Sequence, residues 1–269
     1  MVIDFHTHIF PDKIAARTIE KLEEVGGSKA FTDGTLAGLK KSMRDSAIDI
    51  CVVLPVVTRP SQFDTVNSYA AKITGKDGIL SFGGIHPDSE DYREQLNIIK
   101  RMGLLGIKLH PDYQETYVDD PKMVQIIRYA AEIGLIVVLH AGIDIGLPEP
   151  VHCPPKRTAA MLRQIDNANA KIILAHTGGY GQWDDVEEYI VAKNVYMDIS
   201  YSLGIINKDQ FIRIIRDHGA DRILFASDSP WGGQRETLEQ LKKVELTEEE
   251  LDRILYRNAE EILGLNKQY

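Results

Sequence analysis

Short apolar runs that each end on a polar, often metal-capable residue recur along this chain, and no other feature constrains its fold as much. ILSFGGI (79–85) stops at His86, Leu104 to Leu109 at His110, LIVVL (135–139) at His140, and KIILA (171–175) at His176. Val195 to Ile199 stops at Ser200, and RILFA (222–226) at Ser227-Asp228. Two earlier runs complete the set, Val2-Ile3-Asp4-Phe5-His6-Thr7-His8 and ICVVLPVV (50–57). Short runs rich in Val and Ile, without alternation, read as strands buried on both faces.

Between the runs the period changes from strand to helix. Ile14, Ile19, Leu22 and Val25 share a face over 13–25, and a second amphipathic helix follows over 36–47 beyond the Gly26-Gly27 break. Further helices are expected over 63–74, around Tyr92, Leu96 and Ile99, and from Pro121, capped by Asp119 or Asp120, to Gly134. Others are expected over 159–165, around Val186 to Ile190, and through Phe211, Ile214 and Ile215 to Gly219. Thr247-Glu248-Glu249-Glu250 is a capping-box pattern opening a tail whose Leu251, Ile254, Leu255, Ile262 and Leu263 form one stripe.

Eight strands alternating with helices, each strand apolar up to its C-terminal end, predict a (β/α)8 TIM barrel of the α/β class. The expectation is a single domain over 1–269, with a C-terminal helical tail packed outside. A doubly wound sheet is the competitor, but it would not gather the ends of strands one, five, six and eight around one point.

Composition narrows the function. A net charge of −9 offers no general surface for a phosphate backbone, so nucleic acid is not expected as a partner. The two cysteines, Cys51 and Cys153, have no metal or disulfide spacing, which fits a reducing compartment. No apolar run reaches the ~20 residues of a membrane span. With the first strand opening at residue 2 and no leader pattern ahead of it, the chain reads as soluble and cytoplasmic, with a homodimer left open.

Alternation along the first strand places His6 and His8 on one face together with Asp4. Added to His140, His176 and Asp228, they make three to five ligands projected from four strand ends toward one axis. Nitrogen donors with a carboxylate suit Zn2+ first, and also Mn2+, Fe2+ or Co2+, as one or two ions per chain. Alternation also puts Lys108 and His110 on one face of the fourth strand, opposite Ile107 and Leu109. His86 reads as a turn cap and His152 and Cys153 as loop residues beside the pocket. His218 reads as a helix-end histidine and Trp231 as a wall or packing residue.

These motifs resemble the amidohydrolase superfamily, within it the amidohydrolase-2 group of hydrolases and aminocarboxymuconate-semialdehyde-type decarboxylases. The matching stretches are Asp4-Phe5-His6-Thr7-His8, Leu139-His140-Ala141, Leu174 to Gly179, Arg222 to Pro230 and the closing Arg257-Asn258-Ala259. The resemblance implies that His6, His8 and Asp228 hold the metal, with His140 the next ligand. His176 is implied either to ligate a second metal or to orient substrate and water. Asp228 and His176 are thus the expected catalytic residues, and Lys108 and His110 the expected contacts to a small, anionic substrate. Lys108 has two readings, a carboxylated lysine bridging two metals or a plain lysine beside one, and the group favours the second.

The leading expectation is a metal-dependent hydrolase of an amide, lactone or related C–N or C–O bond. The alternative is a metal-dependent decarboxylase of an aromatic or enol carboxylate. A TatD-like deoxyribonuclease shares the length, the HxH start and the His-Pro turn, but it expects Glu where strand four ends in Lys108-Leu109-His110. A noncatalytic metal-binding barrel is the remaining contrast, and it would be marked by activity that survives chelation.

Overall fold

The computed structural model of the chain describes residues 1–265. Its strands are β1 (Ile3–Thr7), β2 (Ile50–Val53), β3 (Ile79–Ser81, resumed at Gly83–Gly84), β4 (Gly106–Leu109), β5 (Ile136–Leu139), β6 (Ile172–Leu174), β7 (Tyr196–Asp198) and β8 (Ile223–Leu224). All eight lie inside the apolar runs, and every pairing between neighbours is parallel. The ladder lapses at Phe82 within β3. The ring closes through backbone bonds from Phe5 N to Phe225 O (2.9 Å) and from Asp228 N to His6 O (2.9 Å), with a parallel bridge between Thr7 and Ser229. This is the TIM-barrel architecture that the strand-helix alternation predicts.

Two apolar layers follow from strand alternation. Ile3, Phe5, Val52, Leu54, Phe82, Ile136, Val138, Ile173 and Leu224 fill the barrel, and Ala259 and Ile262 of the tail pack with them. Val53, Ile107, Leu109, Val137, Leu139 and Leu174 face the helices instead. Lys108 is paired in register with Gly84 and Val138, so it points into the barrel while Ile107 and Leu109 point out.

The helices are α1 (Asp12–Gly26), α2 (Leu36–Ser46), α3 (Phe63–Ile73), α4 (Tyr92–Arg101), α5 (Pro121–Glu132), α6 (Pro155–Leu162), α7 (Trp183–Tyr189), α8 (Lys208–His218), α9 (Gln234–Leu241), α10 (Glu248–Asp252) and α11 (Asn258–Leu263). Asp120 caps α5 by accepting from Lys122 N, with Pro121 in the first turn. The capping box at Thr247 and Glu250 forms. Two details depart from the sequence reading. α6 starts at Pro155, because proline is pre-set for the first helical turn and lies upstream of the apolar positions. The tail is broken by a wide turn over Arg253–Arg257, where the Ile254 carbonyl accepts from Phe225 N (2.8 Å). Asn258 Nδ2 then donates to Ala220 O and Ile223 O, tying the tail to the foot of β8. No helix among the described residues is long and apolar enough to cross a membrane.

Candidate metal centre

The His-x-His strand does not behave as a regular ladder. The register slips between Asp4 and Thr7, so Asp4 pairs with Cys51 on the helix-facing side and does not share the face of the two histidines. There it accepts from Ser227 N (2.9 Å), Ser227 Oγ (2.6 Å), Gln234 Nε2 (2.8 Å) and His6 N (3.3 Å). Burial pushes its carboxyl up to about 6 against these four bonds, which favour the anion. Asp4 is therefore the pin that ties β1 to the segment carrying Asp228.

Past the slip, His6 Nε2 and His8 Nε2 stand 3.1 Å apart, and Asp228 Oδ1 lies 3.4 Å from the first and 3.3 Å from the second. Their partners decide the tautomers. His8 Nδ1 faces the Leu54 carbonyl at 2.8 Å, which can only accept, so the proton sits on Nδ1 and the Nε2 lone pair faces inward. His6 Nδ1 faces Asp198 Oδ2 at 2.8 Å, with the same result. Two imidazole lone pairs and a carboxylate oxygen thus converge with no proton among them. Three acceptors in contact call for a cation, and two imidazoles with one carboxylate are a fitting donor set for a divalent first-row ion.

Lys108 Nζ is the nearest positive group, 3.2 Å from His6 Nε2 and fully buried. Burial lowers its amine to about 8, opposed by Asp198 and Asp228. Burial also drives His6 far below the usual imidazole range, helped by Lys108, so its ring is neutral. For Asp228 burial acts upward, and the imidazoles of His6, His8 and His176 outweigh it only when they carry a proton toward the carboxylate, a place that a cation would take. With a cation there, Asp228 is an anion at neutral pH.

His140 and His176 sit beside this group and are hydrogen-bonded to each other. His176 Nε2 lies 3.0 Å from His140 Nδ1, and His176 Nδ1 lies 3.0 Å from the Ser200 carbonyl. The His140 ring stacks on His110 with centroids 4.1 Å apart, and His110, His140 and Asp144 form a second group of closely spaced donor residues. His110 Nε2 is 3.3 Å from Asp144 Oδ2. The strand ends converge as expected, but on two neighbouring clusters. His176 and Asp228 both adopt left-handed φ, 60° and 67°. That conformation costs a non-glycine residue roughly 1–3 kcal/mol, and such strain gathers at functional sites. Gly142, after His140, has φ 84° and a would-be Cβ 2.1 Å from Tyr180 N, so only glycine lets the loops after β5 and β6 touch there.

Three residues that hold this arrangement escaped the sequence reading. Asp198 is fully buried; its Oδ1 accepts from His176 N, Ser200 N and Ser200 Oγ, and its Oδ2 takes the His6 proton. An aspartate inside the apolar run 195–199 was the available signal. Gln114 accepts from His110 N and donates to Val57 O and Ile85 O, stitching the ends of β2, β3 and β4. Asp144 sits in a loop with no pattern to mark it. His86 does cap its turn, accepting from Asp88 N. His152 bonds Asp112 Oδ1 at 3.1 Å, and buried Cys153 contacts Thr158. His218 is buried against the Val195 carbonyl. Trp231 walls a cleft of about 400 Å³ together with Tyr201, Ser202 and Ser227.

No curated protein matches the chain. Solved structures do, at low identity and over nearly their full length. An amidohydrolase II structure aligns with TM-score 0.75, 19% identity and coverage of 98% of this chain and 100% of that one. A dihydroxybenzoic acid decarboxylase from a Polaromonas species, with bound manganese and 2-nitroresorcinol, aligns with TM-score 0.72, 16% identity and coverage of 99% and 97%. A 5-carboxyvanillate decarboxylase from Sphingomonas paucimobilis aligns with TM-score 0.69, 14% identity and coverage of 98% of each chain. Identities this low speak for the fold, whereas a sequence model of the amidohydrolase family matches residues 3–265. The chain is an enzyme of the metal-dependent amidohydrolase-2 family.

Proposed function

We propose that this enzyme is a metal-dependent hydrolase of a small molecule that carries an anionic group beside an amide, lactone or related C–N or C–O bond. The observation that carries the reading is the Asp228 carboxylate in contact with two imidazole nitrogens whose rings place their protons on the far side, against Asp198 and the Leu54 carbonyl. His6, His8 and Asp228 would hold the ion, Zn2+ by donor set, with Mn2+ the alternative that the manganese-bound neighbour suggests. When bound, it would supply Lewis acidity and make water acidic near neutral pH.

Asp228 then has the charge state of a general base: it takes a proton from the attacking water and returns it to the leaving atom. The Lys108 ammonium, aimed into the barrel, holds the substrate anion by a charge-assisted hydrogen bond. The chain from His140 through His176 to the Ser200 carbonyl fixes both rings beside the metal ligands, where His176 would orient substrate and water. Cytoplasmic location, action as a single domain and a small-molecule partner with no nucleic acid belong to the same proposal.

Decarboxylation is the second reading. Lys108 favours it, because a buried cation suits a substrate carboxylate, and several structures sharing the fold carry decarboxylase names. The two separate in one assay. Metal-loaded enzyme is offered lactones, amides and aromatic carboxylates, and ring-opened or cleaved products are scored against released CO2. Hydrolytic turnover abolished by chelation supports the first reading; CO2 release without hydrolysis replaces it with the second.

A further inference from the structure

We propose that the outward face of α1 is a docking surface for a second copy of this chain, the two helices lying antiparallel across a two-fold axis. The surface uses none of the metal-centre residues, so the inference is independent of the reaction proposed above.

α1 is held to the barrel by one side only. Of its fifteen residues Ala15 alone is buried, with Ile19 and Leu22 half-buried on the same side. Ile19 rests on the turn at Gly34, where its Cδ1 would stand 2.8 Å from an added Cβ. The row beside them, Ile14, Thr18, Lys21 and Val25, turns outward, and Ile14 is 51% and Val25 48% exposed. The loop after β5 extends this row. A Cβ on Gly26 would stand 3.3 Å from Ile145 Cδ1, and one on Gly146 3.1 Å from Val25 Cγ1. Ile145 and Leu147 are further large apolar side chains left exposed there. Contiguous apolar surface of this kind marks an interaction site.

The charges choose the partner. Lys13, Arg17, Glu20 and Glu24 follow one another at helical spacing and so form one row, next to the apolar one. Within a single helix this order is unfavourable. Lys13 and Arg17 are like charges four residues apart, as are Glu20 and Glu24, and each such pair destabilises a helix. Asp12 suits the first turn, but Lys13 does not, and the last turn holds Glu23 and Glu24 with no basic residue, against the helix dipole. Glu23 pairs with Lys29, whereas none of the four row residues makes an ion pair among the described residues.

A second α1 running the other way resolves this. A two-fold axis across the middle of the helix sets each row against its own copy in reverse. Lys13 then meets the partner's Glu24, Arg17 meets the partner's Glu20, and Ile14 meets the partner's Val25, with Thr18 and the Lys21 stem between them. A parallel pair would set the charge row against the apolar one. A uniformly acidic or basic partner would meet half of the row with like charge. One helix pair and its flanking loops make a small interface, below about 1,200 Å2, which gives a reversible dimer.

The test is sedimentation velocity of the whole protein over about 1–200 µM, at matched circular dichroism. Wild type is compared with Lys13→Glu/Arg17→Glu, with Glu20→Lys/Glu24→Lys, and with the fourfold variant that combines them. Wild type should show a monomer–dimer equilibrium. Each double variant carries a row of one sign, and its self-association should weaken at least tenfold. An equimolar mixture of the two double variants should form a heterodimer, and the fourfold variant, whose row is reversed throughout, should self-associate as wild type does. A wild type that stays monomeric over the whole range overturns the proposal. So does a dimer undiminished in either double variant, or a mixture or fourfold variant that stays monomeric.

Discussion

Asp198→Asn should disable the metal centre without touching a ligand. Asp198 Oδ1 is fixed by three donors, His176 N at 3.1 Å, Ser200 N at 3.0 Å and the Ser200 hydroxyl. The asparagine oxygen must therefore stay on that side, and the amide NH2 must replace Oδ2, 2.8 Å from His6 Nδ1. An NH2 cannot accept the His6 proton. The ring responds by taking the NH2 hydrogen bond on Nδ1 and carrying its own proton on Nε2, the nitrogen that faces His8 and Asp228. Loss of such a supporting carboxylate costs 10–100-fold in metal affinity, or roughly 1.4–2.7 kcal/mol. Competition with a fluorescent chelator, at pH 7.5 on folded variant and wild type, reads this directly. Wild-type affinity in Asp198→Asn would show that the tautomer of His6 does not matter, and the donor argument would fall.

Three further outcomes follow from named groups. Asp228→Asn should lower turnover by orders of magnitude with the fold kept, because the amide accepts no proton from water; kcat on any identified substrate checks this, and near-wild-type kcat removes the role. Lys108→Met should raise KM for anionic substrates about 10–100-fold while sparing neutral analogues, the worth of one charge-assisted hydrogen bond, and equal losses for both would contradict substrate contact. His218 has its imidazole lowered to about 4, chiefly by burial, against 6.5 when unfolded. A depressed histidine means that the unfolded chain binds more protons between these values, so stability is lost as pH falls below 6.5, by about 2 kcal/mol at pH 5. Urea unfolding at pH 7.5 and pH 5 should show this slope reduced in His218→Gln, and an unchanged slope would refute it.

The barrel was legible because its signal is local and repeated. Each strand is a short apolar run, each run ends in a polar residue, and the helical spacing between runs leaves little choice of connection. His6, His8 and Asp228 shared that legibility, since a residue at the C-terminal end of a barrel strand has only one place to point. What was hidden depends on partners distant in sequence. Asp4 looked like a companion of the histidines because alternation is all a sequence offers, and the slip before Thr7 arises only when β1 is paired with β2. Asp198 and His6 are separated by most of the chain, and Gln114 acts through carbonyls of two other strand ends. His140 ended its strand as expected, but its ring is committed by the Ser200 carbonyl through His176, a chain of bonds that no spacing reports.

The claim on which the account rests is that His6, His8 and Asp228 hold a divalent ion. The most direct measurement is elemental analysis of chelator-stripped protein re-equilibrated with limiting Zn2+, comparing wild type with His6→Ala/His8→Ala at matched circular dichroism. The account predicts that wild type retains one equivalent through desalting and that the double variant loses it. Undiminished zinc in the double variant would contradict it.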